Sequence, residues 1–493
     1  MGIFFGNDNP ELATFNTIIP DVKKRLAYWK QFTLSKIGKA RVLETFIASK
    51  LIYAIKFYPI PTTMQKDLQK SMIEFVNFPQ NVQTISQEEM WKTCEYGGIK
   101  LVNIKIKSST SKAKWLVDLA TNENFRLNLD ICTTLLGTQK GGIIGRDIFF
   151  LLKSYFQKHL KTKSKFYNEA LLSLAQLEIK KGIQDIHAWD HEHIFFNPIF
   201  LTEQGKTLII TKHCEQNKVH KLDQLLQEKV KENMKLPFNK VLTNMLSKIK
   251  ISISVPKEDT LVKCNGKEIK LKNLTQKQIY EETLLTINKD HHSQVKWVQK
   301  LDTSINWENV WNTVHNFLSN NRTKTIIWQQ IHLNFYTQYS YNKWHKTSGV
   351  CPLCKIIPKD IYHIILNCDF TNKLWEEIDP LLKKLHPATV TEEEKAFGIV
   401  LKKHTTGTLL RNWLTYQLRE SIAKEERKAY YLETPNLENF KLKFHSAIEF
   451  EINLKALRYK NDNNLPFFDE IITHAEALCN TTDAGYDIRN VFS

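Results

Sequence analysis

A chain of 493 residues exceeds what one hydrophobic core usually organises, so two to four domains are expected. With 42% hydrophobic and 11% aromatic residues, the composition excludes a disordered polar chain. Lys and Arg number 69 against 52 Asp and Glu, a formal charge of +17 that suits polyanionic partners such as nucleic acid, although a solvated basic surface answers the same count.

The opening residues Met1-Gly2-Ile3-Phe4-Phe5-Gly6-Asn7-Asp8 do not pass from a basic region through an apolar run to a cleavage site, so no secretory signal is expected. Nor does any apolar run reach the roughly 18 residues that span a bilayer. The chain therefore reads as soluble, located in the nucleus or cytoplasm, with no membrane partner. Its eight cysteines are Cys94, Cys132, Cys214, Cys264, Cys351, Cys354, Cys368 and Cys479. Only three of them cluster, which is the pattern of a metal site and not of a disulfide framework.

In chain order, Pro20 is expected to begin a helix with Val22, Leu26 and Trp29 on one face, and Ser35 to cap a second helix through Ile55. Tyr58-Pro59-Ile60-Pro61 breaks it. A third amphipathic helix is expected over about Thr63 to Asn77. Ser86 and Glu89 have capping-box spacing for a fourth, stopped near Gly97-Gly98. Residues 1–120 carry 17 basic and 10 acidic side chains, so this helical segment is basic throughout. From about 145 to 250 the periodicity is mainly helical, with a break at Asn197-Pro198. Cys264-Asn265-Gly266-Lys267 is a hairpin-turn signal, and Thr275 with Gln278 offers another capping box. Trp307, Trp311, Trp328, Tyr336, Tyr339 and Tyr341 are read mostly as core.

Cys351, Cys354, His363 and Cys368 have the spacing C-x2-C-x8-H-x4-C, a donor set for one tetrahedral zinc ion. Three thiolates and an imidazole leave no open position for a catalytic water, so the zinc is expected to be structural. The plain alternative is free cysteines near a core histidine. Just upstream, Lys343-Trp344-His345-Lys346 combines cations with an indole that could stack on a base. Other runs point elsewhere and are set aside. His187, Asp190, His191 and His193 lack the HExxH spacing, Gly205-Lys206-Thr207 lacks the glycine of a phosphate loop at Phe200, and Gly141, Gly142 and Gly145 lack a strand-turn-helix setting.

Cys351-Pro352-Leu353-Cys354-Lys355, His363-Ile364-Ile365-Leu366-Asn367-Cys368 and Leu374-Trp375, with the lead-in Trp328-Gln329-Gln330-Ile331-His332 and Thr337, resemble the zinc-binding segment of reverse transcriptases of non-LTR retrotransposons, the long interspersed elements. Gly2 to Gly6 looks like the end of that family's palm. Trp29, Leu34-Ser35-Lys36-Ile37-Gly38-Lys39-Ala40, Lys50-Leu51-Ile52-Tyr53, Pro59-Ile60-Pro61, Gly97-Gly98-Ile99-Lys100-Leu101 and Lys114-Trp115-Leu116 look like its thumb. The resemblance covers residues 1 to about 120 and about 275 to 430.

It implies a mainly α protein with a palm end and thumb-like domain at 1–125 and a linker region with short β-hairpins at 126–270. A domain at 271–435 would hold the knuckle at 351–368, followed by a helical tail at 436–493. It also implies binding of RNA or DNA, with Lys36, Lys39 and Arg41 of the thumb and Lys343, Trp344, Lys346 and Lys355 around the knuckle as contacts. Reverse transcription needs metal-bound aspartates, and this chain has no adjacent Asp-Asp pair. Asp379-Pro380 reverses the order that a relative's nuclease would need. No enzyme is expected, the polymerase portion would precede Met1, and such an upstream portion is a possible partner. The rival expectation is a protein-interaction module that zinc merely holds together.

Overall fold

The structure is a computed structural model that describes residues 3–6, 9–79, 85–121, 165–174, 177–180, 261–264, 266–285, 292–315, 318–334, 350–356, 360–431, 435–474, 477–482, 485–489 and 491–492. Among the described residues the fold is mainly α, with two small antiparallel sheets. No helix among them is long and apolar enough to cross a membrane. The Asn197-Pro198 break, the histidine run at 187–193, Gly205 and the glycines at 141–145 lie outside the described residues, as do Tyr336, Tyr339 and Tyr341.

Local capping chemistry places most helix starts. Ser35 accepts a hydrogen bond from the Gly38 N–H at 3.1 Å and opens the helix Lys36–Val42, which continues through a π-helical stretch Leu43–Ala48 into Ser49–Phe57. Tyr58, extended ahead of Pro59, ends it. The next helix spans Thr62–Asn77. Ser86 accepts from the Glu89 N–H at 3.2 Å to open Gln87–Trp91, and Gly97 then turns the chain at φ +81°. At Thr275 the capping box is reciprocal: its N–H donates to Gln278 Oε1 at 2.8 Å, and its hydroxyl accepts from the Gln278 N–H at 3.2 Å.

One helix start differs from expectation. The first helix runs Pro10–Trp29, with Pro20 inside it. Phe15, Ile18 and Ile19 extend the buried face of Val22 and Leu26 upstream, and burying that stripe outweighs the one N–H that proline lacks.

The chain divides into two units of alternating sequence. Unit 1 comprises Met1–Trp29, Glu44–Met72 and Val102–Asn288. Within it, Ile104–Thr121 packs against Ser49–Phe57, Lys165–Leu174 and Gln276–Leu285. The expected hairpin joins Leu261–Cys264 to Lys267–Lys270 with Val262 opposite Ile269, and Gly266 supplies φ +74° in its turn. Glu178–Lys180 adds a third antiparallel strand. The fully buried Lys112 donates to Ser108 Oγ and Glu169 Oε2, each at 2.6 Å, which satisfies its charge.

Unit 2 comprises Lys30–Leu43, Ile73–Leu101 and Lys289–Ser493. Here Asn321–Ile331 packs on Lys36–Val42 and on the long helix Thr406–Tyr431, which also receives Asp369–Leu385. Trp311 and Trp328 are buried as expected, and Trp307 is half-buried. The Trp328 indole N–H donates to the Gly97 carbonyl at 2.7 Å, and the His332 ring nitrogen lies 2.8 Å from the same oxygen. Trp311 stacks on His332 with ring centroids 5.0 Å apart. A Cβ on Gly97 would lie 2.6 Å from the Trp311 ring, so glycine is required by space as well as by φ.

Candidate metal centre

Cys351 and Cys354 sit on a tight turn of unit 2 closed by two backbone hydrogen bonds. The Lys355 N–H donates to the Cys351 carbonyl at 2.8 Å, and the Cys351 N–H donates to the Ile356 carbonyl at 3.0 Å. Lys355 reverses the chain in the left-handed region, at φ +63°, so that both thiols face one side. The other two donors come from a helical segment. Asp360 Oδ1 accepts from the His363 N–H at 2.7 Å, capping the helical turn at 361–362 that leads into the π-helical His363–Asn367. Cys368 then stands extended at the start of the helix Asp369–Leu385, its carbonyl accepting from the Asn372 N–H at 2.8 Å.

These elements bring the four expected ligands together: the donor atoms of Cys351, Cys354, His363 and Cys368 all lie within 4.8 Å of one another. Cys354 Sγ and His363 Nε2 are 3.2 Å apart. Tetrahedral zinc, with bonds of about 2.3 Å to sulfur and 2.0 Å to nitrogen, sets its donors about 3.5–3.8 Å apart, so small side-chain shifts complete the shell. The group could hold one metal ion. Cys351 and Cys368 are buried, and the turn rests on a core that includes Leu353, Ile364, Leu374, Trp375, Leu382 and Trp413.

The surroundings favour thiolate at one corner. The Cys368 thiol is pushed down, first by the hydrogen bond from Cys351 and then by its interaction with Thr371. Cys351 moves up as the donor of that bond and through burial, and burial also raises Cys354. Asp360 and Thr371 are the residues that sequence reasoning missed. Both stand three positions from a ligand, a capping spacing that could have marked them.

The expected nucleic-acid contacts fall in three settings. Lys343, Trp344 and Lys346 lie outside the described residues. Lys355 and Arg41 are exposed. Lys36 and Lys39 are buried, at 9% and 4% exposure. Cys94, Cys264 and Cys479 stand apart from the cluster as free thiols, consistent with the absence of a disulfide framework among the described residues. Compared with protein families and with curated proteins, the chain matches no family model and no curated sequence.

Proposed function

We propose that this chain is a nucleic-acid-binding, non-polymerising portion of a retrotransposon-type reverse transcriptase, in which one structural zinc ion fixes the knuckle of unit 2. The observation that carries the reading is the convergence of Cys351, Cys354, His363 and Cys368, residues quoted above for the family resemblance, in a chain of net charge +17. Four protein donors close the coordination shell, so the metal's contribution is to hold the turn and the following helix in register. Binding rests on basic side chains that neutralise phosphates, with Lys343, Trp344, Lys346 and Lys355 next to or within the knuckle loop.

The test has two arms. Purified wild type should contain one zinc per chain, and Cys354→Ser should lose it together with local folding, since structural zinc in finger-like units is worth on the order of 10 kcal/mol. Equal zinc in both proteins sinks the assignment. In parallel, RNA or single-stranded DNA should bind with an affinity that falls steeply as salt rises.

One observation favours the rival reading. Leu442, Phe450 and Leu457 on the helix Leu437–Asn461 are 71%, 65% and 59% exposed at spacings that share a face. A protein-docking module built on that stripe would bind its partner with little salt dependence, which is how the two readings separate.

A further inference from the structure

Unit 2 contains a cavity of about 200 Å³ that shares no residue with the metal donors. Five cations line it: Lys36, Lys39, Arg322, Lys424 and Arg427. The inner wall is the informative part. Lys36 and Lys39 are nearly buried, yet neither has a carboxylate partner among the described residues. The Lys36 ammonium donates to Asn77 Oδ1 at 2.9 Å, and that of Lys39 donates to the Phe78 carbonyl. Burial and the mutual proximity of like charges push Lys36 down to about 8, and burial together with Lys30 lowers Lys39.

Asn77 adds a second, independent sign. It is 3% exposed, and its Nδ2 has no hydrogen-bond partner among the described residues although it lines the cavity. A buried amide donor and two buried ammonium groups without an anion are costly arrangements unless something supplies acceptors. At the rim, Glu420 takes up part of the charge, 2.7 Å from Lys424 and 3.4 Å from Arg322. Glu426 acts likewise on Arg427, so the positive excess at the cavity rests on the inner pair, Lys36 and Lys39. A ligand that satisfied these donors would be an anion with several acceptor oxygens, and the cavity volume of about 200 Å³ has room for one. Arginine forks and lysine point charges together are the usual donors for phosphate.

We propose that this cavity is a phosphate site that seats one backbone or terminal phosphate of a nucleic-acid strand. The strand as source rests on the function proposed above, whereas the phosphate chemistry does not.

The experiment uses the full chain, a labelled single-stranded oligonucleotide titrated at several salt concentrations, and melting curves with and without inorganic phosphate. Two variants are compared with wild type: Asn77→Asp, which sets a carboxylate beside Lys36, and Lys36→Met with Lys39→Met. Asn77→Asp should melt higher, because the buried cations gain a partner. It should bind the oligonucleotide about tenfold more weakly, as expected for losing a charge-assisted contact. Its salt slope should shrink by about 0.7, the share of one phosphate on a single strand. The double lysine variant should change affinity and slope in the same direction. Inorganic phosphate should raise the melting temperature of wild type and leave that of Asn77→Asp unmoved.

A folded Asn77→Asp with wild-type affinity and slope would overturn the site while leaving nucleic-acid binding by the rest of the chain intact. If wild type binds no oligonucleotide but is stabilised by inorganic phosphate, and Asn77→Asp is not, the phosphate site stands and the strand as its source is overturned. Stabilisation of wild type by an acidic peptide but not by phosphate would overturn the proposal in favour of a protein ligand.

Discussion

His315 closes the helix Trp307–Val314 with its N–H donating to the Trp311 carbonyl at 3.1 Å, but its ring has less company. Nε2 is buried with no hydrogen-bond partner among the described residues, and burial, then Lys324, Lys100 and Arg41, hold the imidazole down to about 4. Below the ordinary value of about 6.5 the unfolded chain takes up a proton that the folded site refuses, so unfolding binds protons and stability rises with pH through this window. The contribution is fully present above 6.5 and is lost as pH drops towards 4. His315→Phe, which cannot titrate, should flatten the stability profile in that window by on the order of 2 kcal/mol, allowing for partial exposure. Denaturant titrations at pH 7 and pH 4.5 measure it, and parallel profiles for the two proteins would show that His315 is solvated. At the same scale, the four metal donors were readable from the sequence because their spacing is local. The unsatisfied Asn77 amide was not, since an asparagine near a helix end reads as a cap or a turn.

Among elements, the short helix Glu392–Phe397 is tied to the long helix Thr406–Tyr431 by a buried ion pair. Arg411 donates to both Glu394 oxygens at 2.6 and 2.7 Å and also to the Leu382 and His386 carbonyls, with the arginine fully buried. Thr391 caps the short helix by accepting from the Glu394 N–H at 3.1 Å, while the Glu394 carboxylate is committed to Arg411. Arg411→Ala leaves a buried carboxylate and two carbonyls without their donor and should cost about 3–5 kcal/mol, read from the denaturation midpoint. Adding Glu394→Leu should recover part of that loss, and no recovery would assign the damage to packing instead. The three cap signals at Ser35, Ser86 and Thr275 were readable because capping is decided within four residues. Pro20 misled for the opposite reason: a proline inside a helix survives through the buried face of a whole helix, which no short window reveals. Ser35 also placed Lys36 and Lys39 on a helix without showing that they are buried, because their burial depends on Asn321–Ile331, far along the chain.

At the scale of the whole molecule, the sequence lacks the adjacent aspartate pair that would hold two divalent ions for nucleotide addition. Purified chain with a primed RNA template and magnesium or manganese should therefore incorporate no nucleotide. Template-directed incorporation would mean that carboxylates distant in sequence assemble a site. The mainly helical class was readable from periodicity, whereas the interleaving of the two units was not, since periodicity carries no information about which distant segments meet. That interleaving has a consequence in time. Ile37 N–H meets the Thr325 hydroxyl at 3.3 Å across 288 positions, and the Gly97 carbonyl waits for Trp328 across 231. At a synthesis rate of about 5–20 residues per second, Lys36–Val42 leaves the ribosome roughly 15–60 s before the helix that covers it. Through that interval its apolar face is a natural client for a chaperone, and a message cut short before Asn321 would yield a nascent chain whose early helices never meet their cover.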